Sequence, residues 1–106
     1  MTRLPIRKSS TAQADLYEHV DYFADHNPEV GRRFMNEVEA NLELLSSNPL
    51  LGTRFTSASE RFSDLRYWTM AAFPNHVIFY RVEATALNVV RILHGSRDLH
   101  AAISGE

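Results

Sequence analysis

Toward the C-terminal end, Arg91-Ile92-Leu93-His94-Gly95-Ser96-Arg97-Asp98-Leu99 gathers two arginines, a histidine and an acid around one glycine. Guanidinium groups hold phosphate or carboxylate oxygens through paired, planar hydrogen bonds, so this stretch has the residue types for anion recognition. Arg91 falls among apolar positions, where an unpaired guanidinium would be costly, and therefore requires a carboxylate or carbonyl partner. Two readings fit the spacing: an ion pair that pins the strand end to neighbouring helices, or an arginine displayed at a sheet edge to a phosphate or acidic partner.

The other polar residues narrow the chemistry. The five histidines form no metal motif; His19 and His26, two helical turns apart, read as structural or solvent-facing. Ser57, Ser59 and Ser63 have no glycine elbow around them, which argues against a serine nucleophile. Gly31, Gly52, Gly95 and Gly105 cannot make a phosphate-cradling loop, and there is no cysteine for disulfide, zinc ribbon or thiol chemistry. No cofactor or metal is expected. Tyr67 and Trp68 read as core packing, and Asp15 and Glu18 as the solvated face of a helix.

Whole-chain properties set the frame. The 106 residues, 44% hydrophobic and 23% charged, have ordinary globular composition, so 1–106 is expected to be one domain. The polar N-terminus resembles no signal peptide and the longest apolar run is far short of the ~20 residues of a membrane span, which predicts a cytoplasmic protein. The net charge of −2 divides unevenly. Residues 1–11 carry +3, and residues 12–60 set nine acids against Arg32, Arg33 and Arg54 for −6. That balance argues against strong direct binding of nucleic acid, which needs concentrated positive charge.

The elements that must position these residues follow from periodicity. Leu4 and Ile6 alternate with polar neighbours as a first strand. Ser10-Thr11-Ala12-Gln13 fits a capping box opening a helix in which Ala12, Leu16, Val20 and Phe23 share a face, ending near His26. Asn27-Pro28-Glu29 starts a second helix, with Val30, Phe34, Val38, Leu42 and Leu45 as its apolar stripe, stopping before Asn48-Pro49. A long loop to Ser63 follows. The period then changes to 2 over Leu65–Met70, Val77–Val82 and Leu87–Leu93, with turns at 73–76 and 83–86. The expected class is α+β: an N-terminal strand and an antiparallel helical hairpin packed on a mainly antiparallel sheet with a C-terminal three-stranded meander.

With Ala84 and Thr85 central in the last turn, Val82 faces Leu87 and Tyr80 faces Val89. Continuing that register puts Ile78, Tyr80, Val82, Leu87, Val89, Arg91 and Leu93 on one sheet face. Val77, Phe79, Arg81, Asn88, Val90, Ile92 and His94 take the other. Both faces are largely apolar and two helices cover only one. Val77, Phe79, Val90 and Ile92 are therefore expected to bind a partner.

Phe73-Pro74-Asn75-His76-Val77-Ile78-Phe79-Tyr80-Arg81-Val82, followed by Val90-Arg91-Ile92-Leu93-His94-Gly95-Ser96-Arg97-Asp98-Leu99, resembles the RelE/ParE toxins of type II toxin–antitoxin systems. The resemblance extends to Ala14-Asp15-Leu16 and Asn48-Pro49-Leu50-Leu51-Gly52, and is closest to the ParE branch, the plasmid stabilisation proteins. It implies a bacterial toxin that inhibits DNA gyrase and is neutralised by a ParD-type antitoxin lying on Val77, Phe79, Val90 and Ile92. Arg81, His94 and Arg97 become the expected target contacts. The RelE branch instead cuts messenger RNA on the ribosome, and in that case His94, Arg97 and His100 would carry the chemistry. The tyrosine that branch places after the arginine is missing from Leu99-His100-Ala101-Ala102-Ile103, and Met70-Ala71-Ala72 brings no base. An inactive antitoxin-binding homologue is the third alternative.

Overall fold

The computed structural model describes residues 3–55 and 64–95. In chain order the elements are β1 (Ile6–Lys8), α1 (Ser10–His26), α2 (Pro28–Ser47), β2 (Thr53–Arg54), β3 (Leu65–Met70), β4 (Phe73–Val82) and β5 (Leu87–His94). The strands form one sheet in the order β1-β5-β4-β3-β2, antiparallel except for the β1–β5 pair. The α+β class and the helical hairpin are as expected. The sheet also gains β2, a two-residue strand inside the expected loop, paired with Arg66 and Tyr67 of β3.

The start of α1 lies one residue earlier than the capping-box reading. Ser9 is the N-cap: its Oγ accepts from the Ala12 N–H at 3.0 Å. The same hydroxyl donates to the Val90 carbonyl, so the cap is set by contact with β5 as well as by local sequence. Asn27 alone joins the helices. Its N–H donates to the Phe23 carbonyl at the end of α1, while its Oδ1 accepts from Glu29 at the start of α2. Gly31 lets the helices approach, since a Cβ there would stand 3.0 Å from both Ala24 Cβ and the Val20 carbonyl.

The α2 stripe packs as the periodicity predicts. Phe34, Val38, Leu42 and Leu45 are fully buried against Ile78, Tyr80, Leu87, Val89 and Ile92 of the sheet. Each side chain so buried contributes roughly 1.5–3 kcal/mol from apolar area. A smaller second cluster, Leu65, Phe79 and Leu93 flanked by Phe55, Tyr67, Val77 and Val90, lies on the face away from the helices.

Two expectations about the strands are corrected. Residues 73–76 are part of β4, and the turn is at Ala71-Ala72. The pairing of β3 with β4 jumps from Thr69↔Val77 to Met70↔Phe73, so residues 74–76 bulge out of the β3 pairing, and Asn75 and His76 meet the end of β5 instead. His76 pairs with His94, and the Asn75 carbonyl accepts from Gly95. The hairpin register begins as expected, with Val82↔Leu87 and Tyr80↔Val89. It then slips by one residue, because Phe79 faces Arg91 and Val90 is left as a bulge. Beyond the bulge the faces exchange. Ile92 joins the helix-side core at 0% exposure, and Leu93 takes its place on the other face.

Candidate functional site: the far sheet face and its edges

The face away from the helices is shaped by aromatic side chains. Phe55, just past the edge strand, stands edge-on to Phe79 with ring centroids 5.9 Å apart, and Tyr67 lies against Phe79 at 6.2 Å. Together with Val77, Thr53 and Arg54 they line a groove of about 510 Å³ along β2, β3 and β4. Phe79 forms its floor and is almost fully buried, whereas Val77 and Val90 are half-buried. Of the four residues expected on an open partner-binding face, Val77, Phe79 and Val90 are on it. Ile92 is not: the bulge turns it into the core.

The expected target contacts are spread apart. Arg81 pairs with Leu65 and Asn88 near the 83–86 turn, while His94 pairs with His76 at the other end of the same hairpin. Five residues of strand separate Arg81 from His76, roughly 17 Å. His94 stacks edge-on to His76 with centroids 5.2 Å apart, and His76 does the same to His19 at 4.8 Å. His19 donates Nε2–H to the Ile92 carbonyl at 2.8 Å, as a carbonyl can only accept. Its structural role matches expectation. Arg97 and His100 lie outside the described residues, as do Ser57, Ser59 and Ser63. Among the described residues, no group of three His, Asp or Glu side chains could hold a metal ion.

Arg91 has the carboxylate partner its apolar surroundings required. Its Nε and Nη2 donate to Oδ2 and Oδ1 of Asp15 at 2.8 and 3.0 Å, a two-pronged contact. Asp15 was expected to be solvated and is instead half-buried, because α1 runs along the edge of β5 beyond the end of β1. There it also accepts from the Ile92 N–H at 3.0 Å. The ion-pair reading of Arg91 is thus the one the fold uses.

A second polar constellation was not anticipated. Tyr80, buried in the core, donates its hydroxyl to the Pro49 carbonyl and accepts from the Gly52 N–H, both at 2.8 Å. Burial raises its pKa above the ordinary 10.0, opposed by the Gly52 hydrogen bond and the Arg66 charge. Arg66 donates to the Gly52 carbonyl at 2.7 Å. A Cβ at Gly52 would overlap the Tyr80 hydroxyl and stand 2.8 Å from the Tyr67 carbonyl, so the turn requires glycine. The only signal in the sequence was the run Asn48-Pro49-Leu50-Leu51-Gly52, and nothing local pointed to Tyr80.

Comparison with known proteins bears on the whole arrangement. The family model "ParE toxin of type II toxin-antitoxin system, parDE" matches residues 6–99. No curated protein matches the chain. A solved structure titled "Chromosomal ParDE TA system from P. aeruginosa" superposes with a TM-score of 0.71. It covers 87% of this chain and 96% of that one at 17% identity, a likeness of fold. With the family match running from the start of β1 past the end of β5, the chain belongs to the ParE toxin family of type II toxin–antitoxin systems.

Proposed function

We propose that this chain inhibits DNA gyrase and is held inactive by a ParD-type antitoxin that lies in the groove on the far sheet face. The groove carries the reading of the partner: an apolar channel of about 510 Å³ floored by Phe79 and walled by Phe55, Tyr67 and Val77 fits a peptide with regularly spaced apolar side chains. Glu18, Asp21 and Asp25 of α1 and Glu37 of α2 favour basic residues elsewhere on that peptide, whereas Glu29, Glu39 and Glu43 are already paired with Arg32, Lys8 and Arg3. The gyrase assignment draws on the family, and a toxin that poisons by binding needs shaped surfaces rather than a proton-transfer set.

The experiment pairs two assays on the purified chain: plasmid supercoiling by gyrase, with scoring of broken DNA, and primer extension on messenger from cells expressing the toxin. Inhibited supercoiling with intact messenger is expected. Codon-positioned cleavage with undisturbed supercoiling would transfer the chain to the ribonuclease branch, and silence in both would make it an inactive homologue.

A further inference from the structure

Among the described residues no strand lies beyond β1, so its outer side is an edge of the whole sheet. The bonds to β5 fix which groups point there. The Leu87 N–H donates to the Pro5 carbonyl at 2.8 Å and the Ser9 N–H to the Val89 carbonyl at 3.0 Å. With the register Arg7↔Asn88, these bonds turn the N–H and C=O of Arg7 toward β5. Alternation along the strand then turns the N–H and C=O of both Ile6 and Lys8 outward. Among the described residues nothing bonds to those groups. The side chains beside them differ in what they touch. Ile6 packs half-buried against the core, and Lys8 is paired with Glu39 of α2. Arg7 is exposed on the far sheet face and has no ion-pair partner among the described residues. Asn88, its neighbour on β5, donates to Glu83.

We infer that the outer edge of β1 takes an added antiparallel strand of the antitoxin, with a carboxylate side chain at the centre of that strand. The two residues flanking its centre exchange main-chain bonds with Ile6 and Lys8, and the central residue faces Arg7. That rung is the non-hydrogen-bonded kind, in which side chains approach most closely, so the charge of Arg7 selects an acid there. A second copy of this chain is the wrong occupant. The register that satisfies the outward groups of both Ile6 and Lys8 would set Arg7 directly against the copy's Arg7, a like-charge pair at the closest spacing. The antitoxin is within reach, because Arg7 projects from the same face as its proposed groove. From β4, which carries the groove floor Phe79, to the added strand is three strand spacings, roughly 14 Å, which four or five extended residues cover. The inference rests on the reading that a ParD-type antitoxin covers that face, and adds a second, separable contact to it.

The test uses the full chain with its cognate ParD-type antitoxin and compares Lys8→Pro with Lys8→Ala. Both lose the contact with Glu39, but only proline removes the outward N–H, and the bonds to β5 come from the residues on either side. At equal Tm, Lys8→Pro is expected to bind the antitoxin about tenfold more weakly than Lys8→Ala, and equal affinity overturns the inference. If Lys8→Pro melts lower, the exposed Arg7 decides instead. Arg7→Glu is expected to lose about tenfold and Arg7→Lys little, whereas wild-type affinity in Arg7→Glu overturns the inference. In the wild-type chain, the Ile6 and Lys8 amides should exchange hydrogen about tenfold more slowly in the complex than alone, with the Arg7 amide as the already bonded reference. Unchanged exchange overturns the added strand, and so does protection of both amides in the isolated chain, which would assign the edge to a second copy. Weakening by Val77→Glu but by neither edge variant keeps the groove and removes the strand; the converse removes the groove and keeps the strand. A chain that no ParD-type antitoxin binds overturns both.

Discussion

Asp15 closes on Arg91 with both carboxylate oxygens, from a position 76 residues away in the chain. Oδ2 also accepts the Ile92 N–H, and His19, one turn further along α1, donates to the Ile92 carbonyl. Beyond Lys8, where β1 ends, side chains of α1 thus take over the edge hydrogen bonding of β5. Ser9 contributes similarly through Val90.

Asp15→Ala should therefore cost more than an exposed ion pair would. It takes the Asp15 carboxylate away from a guanidinium only 28% exposed and from the strand N–H of Ile92. The expected loss is about 2–4 kcal/mol, below the full cost for a wholly buried pair because water still reaches Arg91. A double-mutant cycle with Arg91→Ala, followed by urea unfolding, should return a coupling of about 1–3 kcal/mol. Additive losses would mean the contact is only positional.

Tyr80→Phe should loosen the 49–52 turn while leaving the core filled. Losing the hydroxyl strands the Pro49 carbonyl and the Gly52 N–H, at about 1–3 kcal/mol by denaturant unfolding. Gly52→Ala should be at least as damaging, as its Cβ meets the Tyr67 backbone as well as Tyr80. Faster hydrogen exchange at Leu51 and Gly52 would mark the loosened turn.

The same tyrosine predicts an alkaline limit. Its folded pKa is raised, so the unfolded chain loses that proton first as pH climbs. The stability attached to Tyr80 is fully present below pH 10 and is lost as pH rises through its folded value. Tm measured from pH 9 to 11 should fall less steeply for Tyr80→Phe than for wild type.

Ser9→Ala removes the α1 cap and the donor to Val90 together. A cap alone is worth about 1 kcal/mol, so a loss above that is expected. Ser10→Ala, at the position the local pattern favours as cap, should be nearly neutral in the same melt.

On the far face, Val77→Glu should weaken antitoxin binding at least tenfold with little change in Tm, since Val77 is half-buried at the groove wall. Ile92→Glu should instead unfold the protein. Co-purification with the antitoxin and thermal melting separate the two outcomes.

That last contrast marks the boundary between sequence and structure. Periodicity by itself determined the helical hairpin, its Asn27–Pro28 hinge, the α2 stripe and the meander, because each depends on residues within a turn or two of one another. The need of Arg91 for a partner was equally plain, since burying a bare guanidinium is costly wherever it occurs. The identity of that partner was not, nor was the grip of Tyr80 on Pro49 and Gly52, because those contacts span 76 and about 30 residues and leave no local trace. The bulge at Val90 belongs to the same class. It arises where β5 meets β4 on one edge and the start of α1 on the other, and a single extra residue there reverses the faces of every residue after it. Composition could therefore say that this sheet has two apolar faces, but only the tertiary pairing decided that Leu93, and not Ile92, belongs to the one turned away from the helices.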